Sequence, residues 1–143
     1  MALLLLHLGL TWFLCGFAWC VAVSHYPLLR EVPREVFVEL HRSHRQRTSP
    51  IVGFLMTVEL GTGAALLMQE PSAVGDTVAA VALGLNVLIW VTTGLAATPK
   101  HRQLEDGFDG PAFQALTQAQ WLRTLLWSAR CGLLTWGWLS LAH

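Results

Sequence analysis

Apolar residues in this chain fall in long uninterrupted runs, a spacing that predicts membrane-crossing helices and not the alternation of half-buried strands. Residues 2–24 hold no charged side chain, and about 20 apolar residues are enough to cross about 30 Å of hydrocarbon. Neither a basic stretch before this run nor a small-residue cleavage pattern after it is visible, so it is read as a first span and not as a cleaved leader. Residues 51–69 form a second run, opened by Ser49-Pro50, broken only by Glu59 and stopped at Glu70-Pro71. After a short polar turn, residues 77–98 carry no ionisable group and lead into Pro99, so spans two and three make a hairpin. Residues 121–142 are apolar apart from Arg123 and Arg130, with Trp136 and Trp138 placed as interface anchors.

Between the first two runs the pattern turns amphipathic. Pro33, Val36, Phe37, Leu40, His41 and His44 recur at helical spacing, while Glu31, Arg34, Glu35, Arg42 and Arg45 take the other side. The spacing predicts a helix over residues 33–47 lying against the membrane surface or the bundle mouth. The expected fold is an all-α membrane protein: a four-helix transmembrane bundle with an amphipathic cytoplasmic helix between spans one and two. No repeat, low-complexity tract or linker divides residues 1–143, so one domain is expected.

Composition supports this reading, since 54% of residues are hydrophobic and 13% charged, about half the charged share of a soluble domain. The formal net charge is zero, which gives no reason to expect nucleic acid as a partner. The placement of charge says more. Arg30, Arg34, Arg42, Arg45 and Arg47 lie between spans one and two, and Lys100 and Arg102 between three and four, whereas the termini and the Ser72–Asp76 turn have no Lys or Arg. Both basic loops are therefore expected in the cytoplasm, with the termini, His7 and His143 at the other surface. His7 is accordingly read as an interface residue. Cys15, Cys20 and Cys131 all fall inside spans, and an odd total gives no disulfide framework, so they read as small packing residues.

Ionisable groups at membrane depth are costly unless they face the bundle interior with a partner. Glu59 lies nine residues beyond Pro50 and Arg130 nine beyond Trp121, on two helices running in the same direction, so both should sit about 13 Å deep. Arg123, Trp127 and Arg130 share one helix face, as do Asn86, Trp90 and Thr93 on span three. A buried polar layer of Glu59, Asn86, Trp90, Arg123 and Arg130 is expected. It is either a structural ion pair with Asn86 fixing the packing, or the lining of a site for a proton, an ion or a small polar substrate.

Histidine supplies the candidate chemistry. His25 ends span one, His101 follows Pro99, and His41 and His44 occupy one turn of the amphipathic helix, so four imidazoles are expected to converge at one mouth of the bundle. One-turn spacing lets two ring nitrogens bind one transition metal, with His25 and Glu59 as third and fourth ligands. The alternative is a set of interfacial histidines bonded to backbone, phospholipid or nearby acids. Haem suits the pattern less well, because no Cys-x-x-Cys-His attachment motif is present.

Several phrases taken together carry a resemblance: His25-Tyr26-Pro27, His41-x-x-His44, Glu59 within an apolar run, Leu85-Asn86-x-Leu88-x-Trp90, and Trp121-Leu122-Arg123-Thr124 followed by Arg130. In these the chain resembles a set of small, uncharacterised bacterial four-span integral membrane proteins over nearly its whole length. In span number and size it is also similar, more loosely, to anthrone-oxygenase-like membrane proteins. The resemblance implies a multi-pass protein of the bacterial inner membrane. The looser likeness implies a small hydrophobic substrate oxidised inside the bundle, with Asn86, Trp90, Arg123 and Arg130 in the pocket.

Three functional readings follow. One is a metal or cofactor protein with a redox role and a site at the cytoplasmic mouth. A second is a non-catalytic subunit, or homo-oligomer, of a larger energy-transducing or photosynthetic membrane complex, for which Gly61-x-x-x-Ala65 and Ala80-x-x-x-Gly84 permit close helix contact. The third, a transporter, lacks an inverted repeat or broken helix to build on. No nucleophilic triad, phosphate-cradling loop or dinucleotide fingerprint is present.

Overall fold

The computed structural model describes residues 1–69 and 72–141, and among them every regular element is helical. Four long helices follow one another: α1 (Ala2–Glu31), α2 (Arg34–Leu67), α3 (Asp76–Gln103) and α4 (Gly110–Leu141). The expected stop at Glu70-Pro71, and His143, lie outside the described residues. Of the four helices, α1, α2 and α3 are long and apolar enough to cross a membrane; α4 is as long but carries Arg123 and Arg130 in its apolar half.

Each helix packs on two others, α1 on α2 and α4, and α3 on α2 and α4. The pairs α1/α3 and α2/α4 therefore face each other across the diagonals of the bundle. Side chains fill the interior in three layers along its length. Leu4, Leu66, Val74, Ala82 and Leu134 close one end, Leu14, Met56, Ile89 and Trp127 occupy the middle, and Leu29, Phe37, Leu104, Phe113 and Leu116 close the end that carries the basic loops. Outside, Trp12, Phe13, Ile51, Phe54, Leu95, Leu125 and Trp136 point away from the core. An apolar exterior of this extent suits a lipid environment and would be a liability in water.

Two boundaries differ from the sequence expectation. The residues expected as a separate interfacial helix at 33–47 are continuous with the second span: α2 runs through Pro50 without a break. Pro lacks only one donor and clashes with one carbonyl, and α2 is anchored by the buried Phe37 and His41 before Pro50 and by Met56 and Glu59 after it. Phe37 and His41 are buried as the amphipathic pattern requires, but Val36 and Leu40 of the same stripe are exposed. The last helix starts at Gly110, eleven residues before Trp121, because Asp109 accepts from the Ala112 backbone N–H and Pro111 sits in the first turn, where a missing N–H costs nothing.

α1 and α3 each contain one π-helical turn, Val21–His25 and Thr93–Ala97. The cause lies in the residues that follow. Pro27 has no N–H to return to Val23, and Pro99 none for Leu95, so the preceding residues reach back five positions instead: Tyr26 N–H to the Val21 carbonyl and Thr98 N–H to the Thr93 carbonyl. Pro99 was expected to end span three; the wider turn lets α3 pass it and run on to Gln103. Pro27 and Pro99 thus distort α1 and α3, whereas α2 stays regular through Pro50.

Small residues mark two close approaches. At Gly137 a Cβ would stand 2.7 Å from the Val74 carbonyl oxygen, and at Gly63 it would stand 3.1 Å from the His7 ring. Gly61 and Gly84, in the two small-x-x-x-small pairs, have nothing within 4 Å of a Cβ position and face outward. Those pairs do not pack this bundle internally.

Candidate functional site

The expected polar layer forms about one ion pair. Glu59 of α2 and Arg130 of α4 bond across the diagonal, both side chains 1% exposed. Every strong donor and acceptor around them is used. The second Glu59 oxygen accepts from Trp127 Nε1 at 3.2 Å, and Arg130 Nε donates to the Ala82 carbonyl at 2.9 Å. Asn86, its amide oriented with oxygen toward the guanidinium, accepts from Arg130 Nη2 at 3.0 Å and Nη1 at 3.2 Å.

His7 completes the network, contrary to the reading of it as an interface residue. Its ring is buried, with Nε2 3.4 Å from Arg130 Nη2 and Nδ1 2.8 Å from Thr62 Oγ1. Because Nε2 faces a donor, Nδ1 carries the hydrogen and donates to Thr62, whose own hydroxyl donates to the Val58 carbonyl at 2.8 Å. All four helices meet in this one cluster.

The four histidines also converge, at the basic-loop end. His41 Nε2 lies 3.3 Å from His101 Nδ1 and 3.3 Å from the His101 carbonyl oxygen, and the two rings stack. His101 Nε2 meets the buried Tyr26 hydroxyl at 3.3 Å, so a phenol and two imidazoles join α1, α3 and α2 in a continuous chain. His25 and His44 pair separately, with ring centroids 4.1 Å apart. Thr48 Oγ1 lies 3.3 Å from His44 Nδ1. A proton on one ring of such a set opposes a second on its neighbour, so the imidazoles titrate together and not as independent groups.

Glu59 does not belong to this histidine set. On a continuous α2 it stands fifteen residues beyond His44, about 22 Å along the axis at 1.5 Å per residue, and its two oxygens are committed to Arg130 and Trp127. The proposed ligand set of His25, His41, His44 and Glu59 is corrected accordingly: among the described residues no group of three or more His, Cys, Asp or Glu side chains is arranged to hold a metal ion.

Between the two clusters lies a cavity of about 230 Å³. Phe17, Val52, Met56, Trp90, Ala97 and Trp127 supply its apolar walls, and Tyr26, His44, His101, Gln120 and Arg123 its polar ones. Both π turns border it, through Val21 on α1 and Thr93 and Ala97 on α3, as do Ser49 and Gly53 flanking Pro50 on α2. Arg123, expected in the ion-pair layer, instead faces this cavity, and so does Trp90.

Two donors there have no partner. Arg123 is 8% exposed; its Nη1 donates to Gln120 Oε1 at 3.2 Å while its Nε is buried and unbonded, and Trp90 Nε1 is likewise unbonded. Buried polar groups in native proteins are nearly always satisfied, so this pair marks a place for an acceptor. Gln120, Tyr26 and Trp127 were not singled out in the sequence as site residues, although Gln120 and Trp127 flank Arg123 at helical spacing and that signal was legible. Comparison with family models, curated proteins and solved structures finds no match for this chain.

Proposed function

We propose that this is a four-span protein of the bacterial inner membrane, with both termini outside the cytoplasm, that takes a small molecule into the cavity between its histidines and its ion pair. The observation that carries the reading is the pair of unbonded buried donors, Arg123 Nε and Trp90 Nε1, on side chains lining a mostly apolar space. Apolar walls with a few convergent polar groups are the usual make-up of a ligand site. The Tyr26–His101–His41 chain at its mouth supplies groups that can accept or pass a proton to a bound molecule. A redox role would fit this arrangement if the molecule itself is the electron carrier. The looser likeness to anthrone-oxygenase-like proteins points the same way, to an organic substrate inside the bundle.

The test is native mass spectrometry on protein purified in a mild detergent, beside the Gly53→Phe variant. Gly53 lines the cavity and has open space where a Cβ would stand, so a phenyl group fills the site without displacing backbone. The expected result is a small molecule retained by the wild type and lost from the variant. A wild type that carries none, with a variant that simply melts higher as a filled void would, refutes the proposal.

A second reading rests on the outward-facing Gly61 and Gly84. Small residues on a lipid-facing surface let a foreign helix approach closely, which supports an accessory role in a larger membrane complex. Sizing after gentle solubilisation of native membranes decides it, since a lone species of about the chain's 15.8 kDa plus detergent would remove the idea.

A further inference from the structure

Resting on the reading of the cavity as a ligand site, we infer that its ligand is a small amphipathic monoanion, one oxyanion group such as a carboxylate on a compact apolar body. The argument is a census of what the cavity offers. Among the described residues, no Asp or Glu lines it. Two ion pairs form in the described chain, Glu59–Arg130 and Arg45–Glu105, and both leave Arg123 out. Arg123 therefore brings a guanidinium without a carboxylate partner to the cavity wall, against the face of Trp127 at 5.2 Å. That contact offsets only a small part of the desolvation a buried cation suffers.

No carboxylate lines the cavity, and the amide and threonine groups nearest Arg123 are engaged with one another or with backbone, which leaves the His44 ring and the Ser49 hydroxyl as neutral lining groups. Gln120 Oε1 is taken by Arg123 itself, and Gln120 Nε2 donates to the Ala18 carbonyl at 3.0 Å. The Thr93 hydroxyl donates to the Ile89 carbonyl and the Thr98 hydroxyl to the Thr93 carbonyl. What is left over is Arg123 Nε and Trp90 Nε1. A cation and a donor-only indole select an oxyanion over an alcohol, amide or amine. Phe17, Val52, Met56, Ala97 and Trp127 favour an apolar remainder, and the other arginine on the lining, Arg45, is already neutralised by Glu105.

The experiment measures binding of 2-naphthoate and of its neutral isostere 2-naphthamide to the full chain in detergent, by calorimetry. The expected result is that naphthoate binds at least about tenfold more tightly, the scale of one charge-assisted hydrogen bond. Arg123→Gln should remove that preference, Arg123→Lys should restore part of it, and Trp90→Phe should weaken naphthoate by a few fold. Equal binding of the two probes to the wild type, or an Arg123→Gln variant that retains the preference, overturns the anion inference while the ligand site stands. Binding of neither probe to the wild type overturns both the inference and the reading it rests on.

Discussion

Replacing Glu59 by Leu leaves Arg130 as a buried, uncompensated cation, and the geometry fixes how the damage divides. Removing one partner of a buried pair costs about 3–5 kcal/mol, because the charge left behind cannot be rehydrated. Arg130 would keep the Ala82 carbonyl, Asn86 and His7 as neutral partners, which stabilise a cation less well than a carboxylate does. Adding Arg130→Met removes that charge. The double variant then leaves chiefly Trp127 Nε1 and the His7 and Asn86 acceptors to find other partners, at about 1–3 kcal/mol for an unsatisfied buried group. The double variant is thus expected to lose less than the sum of the two single losses, because the uncompensated charge present in each single variant is absent from it. Reversible denaturation of the helical fold in mixed detergent micelles, run as a four-member cycle, measures this directly. Strict additivity of the two single losses would mean that the two side chains do not meet, and the central cluster as described would be wrong.

Gly137→Ala places a Cβ against a backbone carbonyl that cannot swing aside, so a loss of about 1–3 kcal/mol is expected in the same assay. Gly61→Ala and Gly84→Ala meet nothing and should raise stability by a few tenths to about 1 kcal/mol through helix propensity. Arg45→Gln breaks a partly exposed pair with Glu105 and should shift stability by no more than about 1 kcal/mol, with the shift shrinking in high salt. In a cysteine-free background, Gln46→Cys should react with an impermeant maleimide only from the cytoplasmic face and Asp76→Cys only from the other; the reverse pattern would invert the proposed orientation.

Much of the central cluster could be read from the sequence because depth in a helix is countable. Glu59 and Arg130 were placed at matching heights by their distance from Pro50 and Trp121, and they bond; Asn86 joined them by period alone. His7 escaped because its neighbours on the helix face offered no proton chemistry, while its partners Thr62 and Arg130 come from other helices. Convergence of the four histidines followed from their positions at span ends and on the helix over residues 33–47, but the inclusion of Glu59 among the ligands did not, since it rested on a helix separate from a span that opens at Pro50, and α2 is continuous there. Tertiary packing overrides a single Pro in the middle of a long helix, and no local pattern announces when it will. The π turns were equally hidden, although in hindsight Pro27 and Pro99 explain them. The cavity could not be foreseen, because its lining comes from all four helices, at positions far apart along the chain.

The cross-diagonal bond has a consequence for how the protein is made. α4 is the helix whose apolar half carries two arginines, and a cationic side chain at mid-membrane opposes insertion of an isolated helix by about 2.5–3.5 kcal/mol. On the proposed four-span reading, Glu59 and Asn86 leave the ribosome before Arg130 does, so the acceptors for that charge would already be in the bilayer when α4 emerges, and the last helix would be recruited by the first three. On that reading a nascent chain lacking Glu59 should hold α4 back at the membrane surface, where it would be open to proteolysis.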